Sequence, residues 1–232
     1  MELIKESAQA IPAKSLSFLD IHSYEIKQSR SNLKVPVING VHLHSNYHPA
    51  KEAKKLIANI EHQLKENKNL LILGLGFAYH VYEACKLLET YHGQDYKVIV
   101  IEPNEQTYAE CIKNNLFPNK NIEVYATDNI ASIYKEKNVA SFLSQKPTIL
   151  THAPSFSLYN TFYKAFLDFE ASSKISDCIE HIKSSELKSL LYNADQDKSI
   201  DQHIESAIYQ TNQFKNKNDF LLLAFDAVIK QG

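Results

Sequence analysis

The stretch Leu70-Leu71-Ile72-Leu73-Gly74-Leu75-Gly76 decides the fold of this chain. Four consecutive apolar residues with no polar alternation are typical of a parallel strand that is buried on both faces. The two glycines that follow permit a tight turn from this strand into a helix. The stretch therefore predicts a parallel sheet of an α/β domain, with the turn at the carboxyl end of one of its strands.

Further along the chain, apolar strands alternate with helical patterns. Buried strands are predicted at 98–101, 122–125 and 147–151, and apolar residues recur at helical spacing before and between the strands. One such helix begins at Pro49, because proline is favoured at the first helical position. This alternation predicts an α/β, Rossmann-like, doubly wound and mostly parallel sheet with right-handed crossovers.

Three segments are predicted. Residues 1–45 form a small β-rich lead-in, in which Asn39-Gly40 is a hairpin turn signal between two short strands. Residues 46–154 form the Rossmann-like domain, and residues 155–232 form a helical extension without strand patterns. The last predicted helix, at about 219–230, is apolar on most sides, so it must be covered either by the core or by an interface with another domain or a second copy.

Composition narrows the class of protein. The 232 residues are 44% hydrophobic and 22% charged, with a formal net charge of −2, as in ordinary globular proteins. No basic surface is indicated, so nucleic acid is not expected as a partner. The chain shows neither a signal-peptide pattern nor an apolar run long enough to span a membrane, so we expect a cytoplasmic protein without membrane contact. Three cysteines without a C-x-x-C pair indicate no disulfide scaffold or zinc knuckle.

Polar and glycine residues gather at the carboxyl ends of the predicted strands, where open α/β sheets bind ligands. An acid at the end of the second strand can accept hydrogen bonds from ribose hydroxyls, so a nucleotide or S-adenosylmethionine is the possible ligand. Alternatively, the glycines form a tight turn without any ligand. The acids would then cap a helix or interact favourably with the positive end of its macrodipole. The predicted cofactor-binding residues are Gly74, Gly76, Glu102 and Asp128, with His44 and Tyr47 at the rim.

Histidines at 42, 44 and 48 raise the question of a metal site. On a strand, His42 and His44 would share one face, so that both imidazoles could reach one ion. Apart from Glu52, no nearby acid or cysteine completes a ligand set, so packing and hydrogen bonding are the preferred roles and no metal site is predicted. The other histidines, among them His80 and His152, are scattered along the sequence.

Three motifs in order carry a resemblance to a known family. They are the segment from Asn39 to Pro49 followed by Glu52-Ala53, the turn from Leu73 to His80, and Glu102-Pro103-Asn104. Together they resemble the N-terminal domain of the motility-associated factor (Maf) glycosyltransferases. The resemblance is firm over residues 35–128 and fainter to about residue 210.

The resemblance implies a role in flagellin glycosylation. Maf proteins combine a Rossmann-like N-terminal domain, a central catalytic domain that opens with a glycine-rich turn, and a helical tail; they transfer nonulosonic acid sugars to flagellin. Here no glycine occurs between Gly93 and Gly232, so the chain resembles the N-terminal domain alone, without a complete catalytic site. The implied partners are flagellin, a glycosylation-pathway protein or a separate catalytic domain. The apolar last helix adds a second copy, bound through the C-terminal helices, as another expected partner.

Two other functions remain open at this point. The strand-end residues also fit a stand-alone S-adenosylmethionine-dependent methyltransferase. Against it, the segment His152-Ala153-Pro154-Ser155-Phe156 matches the catalytic loop of amino-group methyltransferases poorly and is better explained as a helix start. The third possibility is a non-enzymatic interaction module whose helices supply partner surface.

Overall fold

The computed structural model describes residues 19–117, 120–170, 172–179 and 182–205, without the side chains of Leu190 and Ile204. Contacts divide the chain into two compact units, residues 1–169 and 170–232. None of the helices within these described ranges is both long and apolar enough to cross a lipid bilayer.

The first unit begins with a small antiparallel sheet. Its strands β1 (Tyr24–Gln28), β2 (Lys34–Ile38) and β3 (Val41–His42) lie in the order β1-β2-β3. Asn39 and Gly40 join β2 to β3 with φ values of +52° and +78°. Two consecutive residues with positive φ match the type I′ hairpin turn, so the predicted β-rich lead-in is confirmed for its described part, residues 19–45.

The main sheet has four parallel strands in the order β6-β5-β4-β7. Within β4, Leu70 and Ile72 pack in a core on one face of the sheet, while Leu71 and Leu73 pack in a core on the other. Burial on both faces explains the continuous apolar run and confirms the predicted Rossmann-like, doubly wound fold. The strands are β4 (Asn69–Leu73), β5 (Lys97–Glu102), β6 (Ile122–Ala126) and β7 (Thr148–Thr151).

Helices connect the strands of the main sheet and cover its two faces. Pro49 is the first residue of α1, as the sequence predicts. The helix α3 follows the glycine turn directly, which is the strand-turn-helix context predicted for it. The helices of the first unit are α1 (Pro49–Ala58), α2 (Glu61–Glu66), α3 (Tyr79–His92), α4 (Glu105–Lys113), α5 (Ile130–Lys135), α6 (Lys137–Ser144), α7 (Ala153–Leu158) and α8 (Asn160–Leu167).

The structure places the end of the first unit later than the predicted boundary at residue 154. Phe162, Tyr163 and Phe166 of α8 are buried in the same core as Leu71 and Leu73 of β4. A helix that covers a sheet and a helix of a separate extension share the same apolar spacing, so periodicity does not locate the boundary.

The second unit is helical in its described part, as predicted for this region. A small apolar core joins its helices. The predicted helix at 219–230 lies outside the described residues. The helices are α9 (Ile175–Cys178), α10 (Ser185–Tyr192) and α11 (Ile200–Ile204), and the core residues are Ile175, Ile179, Leu187, Leu191 and Ile200.

The Asn104 side chain caps α4 directly after β5 and also bonds Tyr159, so its loss should destabilise the first unit. Its side-chain oxygen accepts the Gln106 N–H at 3.0 Å, and its amide donates to the Tyr159 hydroxyl at 2.9 Å. We expect Asn104→Ala to lower the free energy of unfolding by about 2 kcal/mol, measured by urea denaturation. The matched control is Asn129→Ala, because Asn129 caps α5 from an exposed position and should contribute about 1 kcal/mol. Equal losses in the two variants would contradict the role of the Tyr159 bond.

Candidate functional site

The carboxyl ends of β4 and β7 meet where the strand order of the main sheet reverses. From β4 the chain continues to β5 and β6 on one side, whereas β7 pairs with β4 on the other. The His152 N–H donates to the Leu73 carbonyl at 2.9 Å, so the segments that follow β4 and β7 are directly connected. In open α/β sheets this switch point is the position at which ligands bind.

Three buried histidines, which we call the histidine cluster, occupy this switch point: His44, His80 and His152. His44 follows β3, His80 lies in the first turn of α3, and His152 comes directly after β7. The ring centres of His80 and His152 are 4.4 Å apart and the rings are stacked, while the His44 ring lies 4.7 Å from His152 and 5.7 Å from His80. Segments distant in sequence thus bring three imidazoles into contact.

Hydrogen bonds define the protonation of two of these rings. The His44 Nε2 accepts the Phe77 N–H at 2.7 Å, so its proton is on Nδ1, which faces the Glu52 carboxylate at 3.5 Å. The His80 Nε2 lies 2.9 Å from the Gly74 carbonyl and must donate to it, which leaves Nδ1 as a bare lone pair. This Nδ1 atom is buried and has no hydrogen-bond partner.

Burial favours the uncharged form of each ring in the histidine cluster. Burial and, to a lesser degree, the nearby His44 lower the pKa of His80 to about 3. Burial also lowers the pKa of His44 and of His152, the latter well below its ordinary value. The His152 Nδ1 lies 2.8 Å from the Ser155 Oγ, so that ring has a polar partner as well. A neutral imidazole has one ring nitrogen with a lone pair, which can accept a hydrogen bond or bind a metal ion.

The predicted glycines are essential to this packing. A Cβ atom on Gly76 would lie 2.5 Å from the His44 Nε2 and 2.8 Å from the His152 Cε1. A Cβ atom on Gly74 would lie 2.5 Å from the Ser155 Cβ. Both glycines also have positive φ, +52° for Gly76 and +102° for Gly74. In a dinucleotide site the ligand lies this close to the glycines. Here side chains of the protein itself occupy that space.

Glu102 joins the same turn, as its position at a strand end predicts. Its carboxylate is fully buried and accepts the Leu75 N–H at 2.8 Å and the Asn104 N–H at 3.0 Å. Burial raises the pKa of Glu102 to about 7, although these two hydrogen bonds oppose the shift. Both carboxylate oxygens are therefore bound to the backbone, and neither is directed at an open crevice.

The structure does not bring Asp128 or Tyr47 into these contacts. None of the hydrogen bonds or ion pairs between described residues of the first unit links Asp128 to the glycine turn, and Asn129, not Asp128, caps α5. Tyr47 lies on the surface with 55% of its area exposed, and the Arg30 guanidinium stacks on its ring at 4.4 Å. The sequence places these two residues near the strand ends but carries no information on their side-chain directions.

Of the H-x-H-x3-H segment, only His44 enters the cluster, since His48 is exposed and His42 is half-buried on β3. Sequence reasoning missed His80 and His152 as its partners. A signal was present, because His152 directly follows β7 and His80 lies just beyond the turn after β4. Residues after neighbouring parallel strands meet at one edge of a sheet, and these two strands flank the switch point.

A cavity of about 120 Å³ reaches the histidine cluster. Typical ligand pockets have about 300–1,000 Å³, so this cavity is too small for a nucleotide or S-adenosylmethionine. At about 30 Å³ for each water molecule, it has room for an ion and a few waters. Its walls include the three histidines, Glu52 and Leu56 of α1, and Pro154 of α7.

Larger hollows lie elsewhere on the first unit. One of about 470 Å³ runs along α3 to the amino end of β6, between Tyr82 and Ile122. Another of about 340 Å³ is mainly apolar and lies beside Phe77 and Tyr79. The three histidines and Glu52 line the smaller cavity and neither of these hollows, so we place the functional site at the smaller cavity, where the motif residues converge.

Comparison with known proteins shows no matching family model and no matching curated protein. Among solved structures, MnmC2 from Aquifex aeolicus is 18% identical, with a TM-score of 0.34 over 50% of this chain and 46% of that chain. Spermidine synthase in complex with the transition-state analogue AdoDATO is 17% identical, with a TM-score of 0.43 over 64% of this chain and 51% of that chain. The chain thus spans about half the length of each of these structures, and similarity at this level carries no information about its activity.

Proposed function

We propose that this chain is a non-catalytic, Rossmann-like domain of a Maf-like glycosylation system that modifies flagellin with nonulosonic acid sugars. It would bind the acceptor or position a catalytic domain. The observation that supports the proposal is the convergence of the three motifs. His44 of the first motif binds Phe77 of the second, and Leu75 of the second binds Glu102 of the third.

The contacts of these motifs also favour a structural role. The groups that would bind a nucleotide are already engaged: Glu102 holds two backbone N–H groups, and His44, His152 and Ser155 fill the space beside the glycines. A motif whose polar groups satisfy one another maintains the shape of a surface without chemistry of its own.

A methyltransferase is the second candidate, and one observation favours it. The strand order β6-β5-β4-β7 places a glycine turn at the switch point and an acid at the end of the adjacent strand. Binding of S-adenosylmethionine would require the side chains beside Gly74 and Gly76 to move away from the turn.

Calorimetric titration of the purified chain separates the two candidates. We expect no heat of binding from S-adenosylmethionine or from CMP, because the switch-point cavity admits neither ligand. The control is Tyr47→Ala, which should match the wild-type chain because Tyr47 is exposed. Micromolar binding of S-adenosylmethionine would overturn the non-catalytic role and make Glu102→Ala the next variant to test.

The glycosylation role is tested in the source cell. Deletion of the gene should reduce the intact mass of flagellin by the mass of its sugars, and the wild-type gene should restore it. The tagged full-length chain should co-purify flagellin or another component of the pathway. An unchanged flagellin mass together with no co-purified component would refute the proposal.

A further inference from the structure

We propose that the histidine cluster binds one divalent transition-metal ion, with Zn²⁺ as the expected ion and Glu52 as an additional oxygen ligand. Imidazole and carboxylate are ligands that suit zinc, and three histidines with a carboxylate form a common ligand set for such ions. This inference is independent of the glycosylation proposal, because it depends only on residues around the switch-point cavity.

Spacing is the first support. One ligand atom from each of His44, His80 and His152 lies within 4.8 Å of the others. With Zn–N distances of about 2.0–2.1 Å, nitrogens around a tetrahedral zinc ion are about 3.4 Å apart. The widest pair must therefore close by at most about 1.4 Å. The rings of His80 and His152 must also turn out of their stack, because parallel rings do not direct their lone pairs at one point.

The unpartnered nitrogen of His80 is the second and independent support. Its Nδ1 atom is buried without a hydrogen-bond partner, while its Nε2–H is fixed on the Gly74 carbonyl. Zinc-bound histidines have this arrangement, in which a backbone carbonyl orients the ring from behind and the other nitrogen holds the ion. A buried acceptor without a partner is unfavourable, and coordination would satisfy it.

An oxygen ligand and access from solvent also fit a cation. The Glu52 carboxylate lies 3.5 Å from the His44 Nδ1 and accepts the Ser45 N–H at 2.9 Å, so it is held beside the cluster. The Glu52 side chain is 42% exposed and lines the cavity, so it connects solvent to the buried nitrogens.

His44 and His152 limit the expected affinity, because both rings already have hydrogen-bond partners. The His152 Nδ1 lies 2.8 Å from the Ser155 Oγ. The His44 Nε2 lone pair is occupied by the Phe77 N–H, so coordination through this atom exchanges a hydrogen bond for a metal bond. Binding through Nδ1 instead would displace the proton that faces Glu52. Either exchange is unfavourable, so we expect micromolar affinity and not the much tighter binding of a preformed zinc site. The Phe77 amide is consequently a direct reporter of coordination through the His44 Nε2.

Titration of the full chain, freed of metal by a chelator, tests the site. With ZnCl₂ in the calorimeter we expect one ion per chain, and with CoCl₂ we expect the strong visible absorption of tetrahedral cobalt. His80→Gln should weaken binding by roughly tenfold or more. The matched control is His62→Gln, because His62 is exposed on α2 outside the cluster. It should bind like the wild type.

A second variant keeps the test decisive if His80→Gln fails to fold. Glu52→Gln alters a partly exposed carboxylate and leaves the three buried rings in place, and it should also weaken binding. The Phe77 amide resonance should shift on Zn²⁺ addition in the wild type and shift less in Glu52→Gln at equal Zn²⁺. Absence of binding to the wild type, unchanged binding in Glu52→Gln, or equal losses in His62→Gln would overturn the proposal.

Discussion

Replacement of Gly76 by alanine is expected to lower the free energy of unfolding of the first unit by about 3 kcal/mol or more, or to prevent folding. The new methyl group would lie 2.5 Å from the His44 Nε2 and 2.8 Å from the His152 Cε1, so buried rings would have to move. Overpacking of a core costs about 1–3 kcal/mol, and a left-handed backbone adds about 1–2 kcal/mol for alanine. Urea denaturation followed by circular dichroism measures the loss.

Alanine substitutions at two other glycines separate the destabilisation caused by the steric clash from that caused by the backbone conformation. Gly40 and Gly93 also have positive φ, +78° and +61°, but a Cβ atom on either meets nothing within 4 Å. Gly40→Ala and Gly93→Ala should therefore each lose only about 1–2 kcal/mol. If all three substitutions had the same effect, the histidine packing against Gly76 would not be the cause.

Replacement of Glu102 by alanine is expected to have the next largest effect. The change leaves the Leu75 and Asn104 N–H groups buried without an acceptor, at about 1–3 kcal/mol each. We expect a total loss of about 2–6 kcal/mol in the free energy of unfolding. Glu102→Gln should lose less, because its amide oxygen still accepts one of the two N–H groups. A loss below about 1 kcal/mol in Glu102→Ala would contradict this role.

The same carboxyl should make stability depend on pH. The pKa of Glu102 is about 7 in the folded chain against an ordinary value of 4.5, so the folded state binds this proton more tightly than the unfolded state. Its contribution is fully present below pH 4.5 and is lost as the pH rises towards 7. The advantage of the wild type over Glu102→Gln should therefore shrink between pH 5 and pH 8. A constant or growing difference would contradict the raised pKa, and Glu89→Gln serves as an exposed control.

The elements of the fold could be predicted because each has a local signature. The run at 70–73 is apolar because both faces of β4 are covered, and Asn39-Gly40 adopts the positive φ values that its composition favours. The end of the first unit had no such signature, because α8 has the same apolar spacing as a helix of a separate extension would have.

The candidate site could be predicted only in part, because it is made of contacts between distant segments. The sequence places Gly74, Gly76 and Glu102 at strand ends, and the structure brings them together. Whether a glycine turn contacts a ligand or the protein itself depends on which side chains pack against it. Here His44 packs against the turn from a loop 33 residues before Phe77, and no local pattern encodes that contact.

The glycine turn has a consequence for synthesis of the chain. The ribosome synthesises the turn itself early. The residues that cover it, His152 and Ser155, come later, after β7, the last strand of the main sheet. A nascent chain that has not yet emerged beyond residue 155 carries β4 with an uncovered turn and an unpaired edge, which is the kind of surface on which partly made chains aggregate. Emergence of α7 and then α8, which completes the core, should therefore be the step at which the nascent first unit becomes resistant to protease.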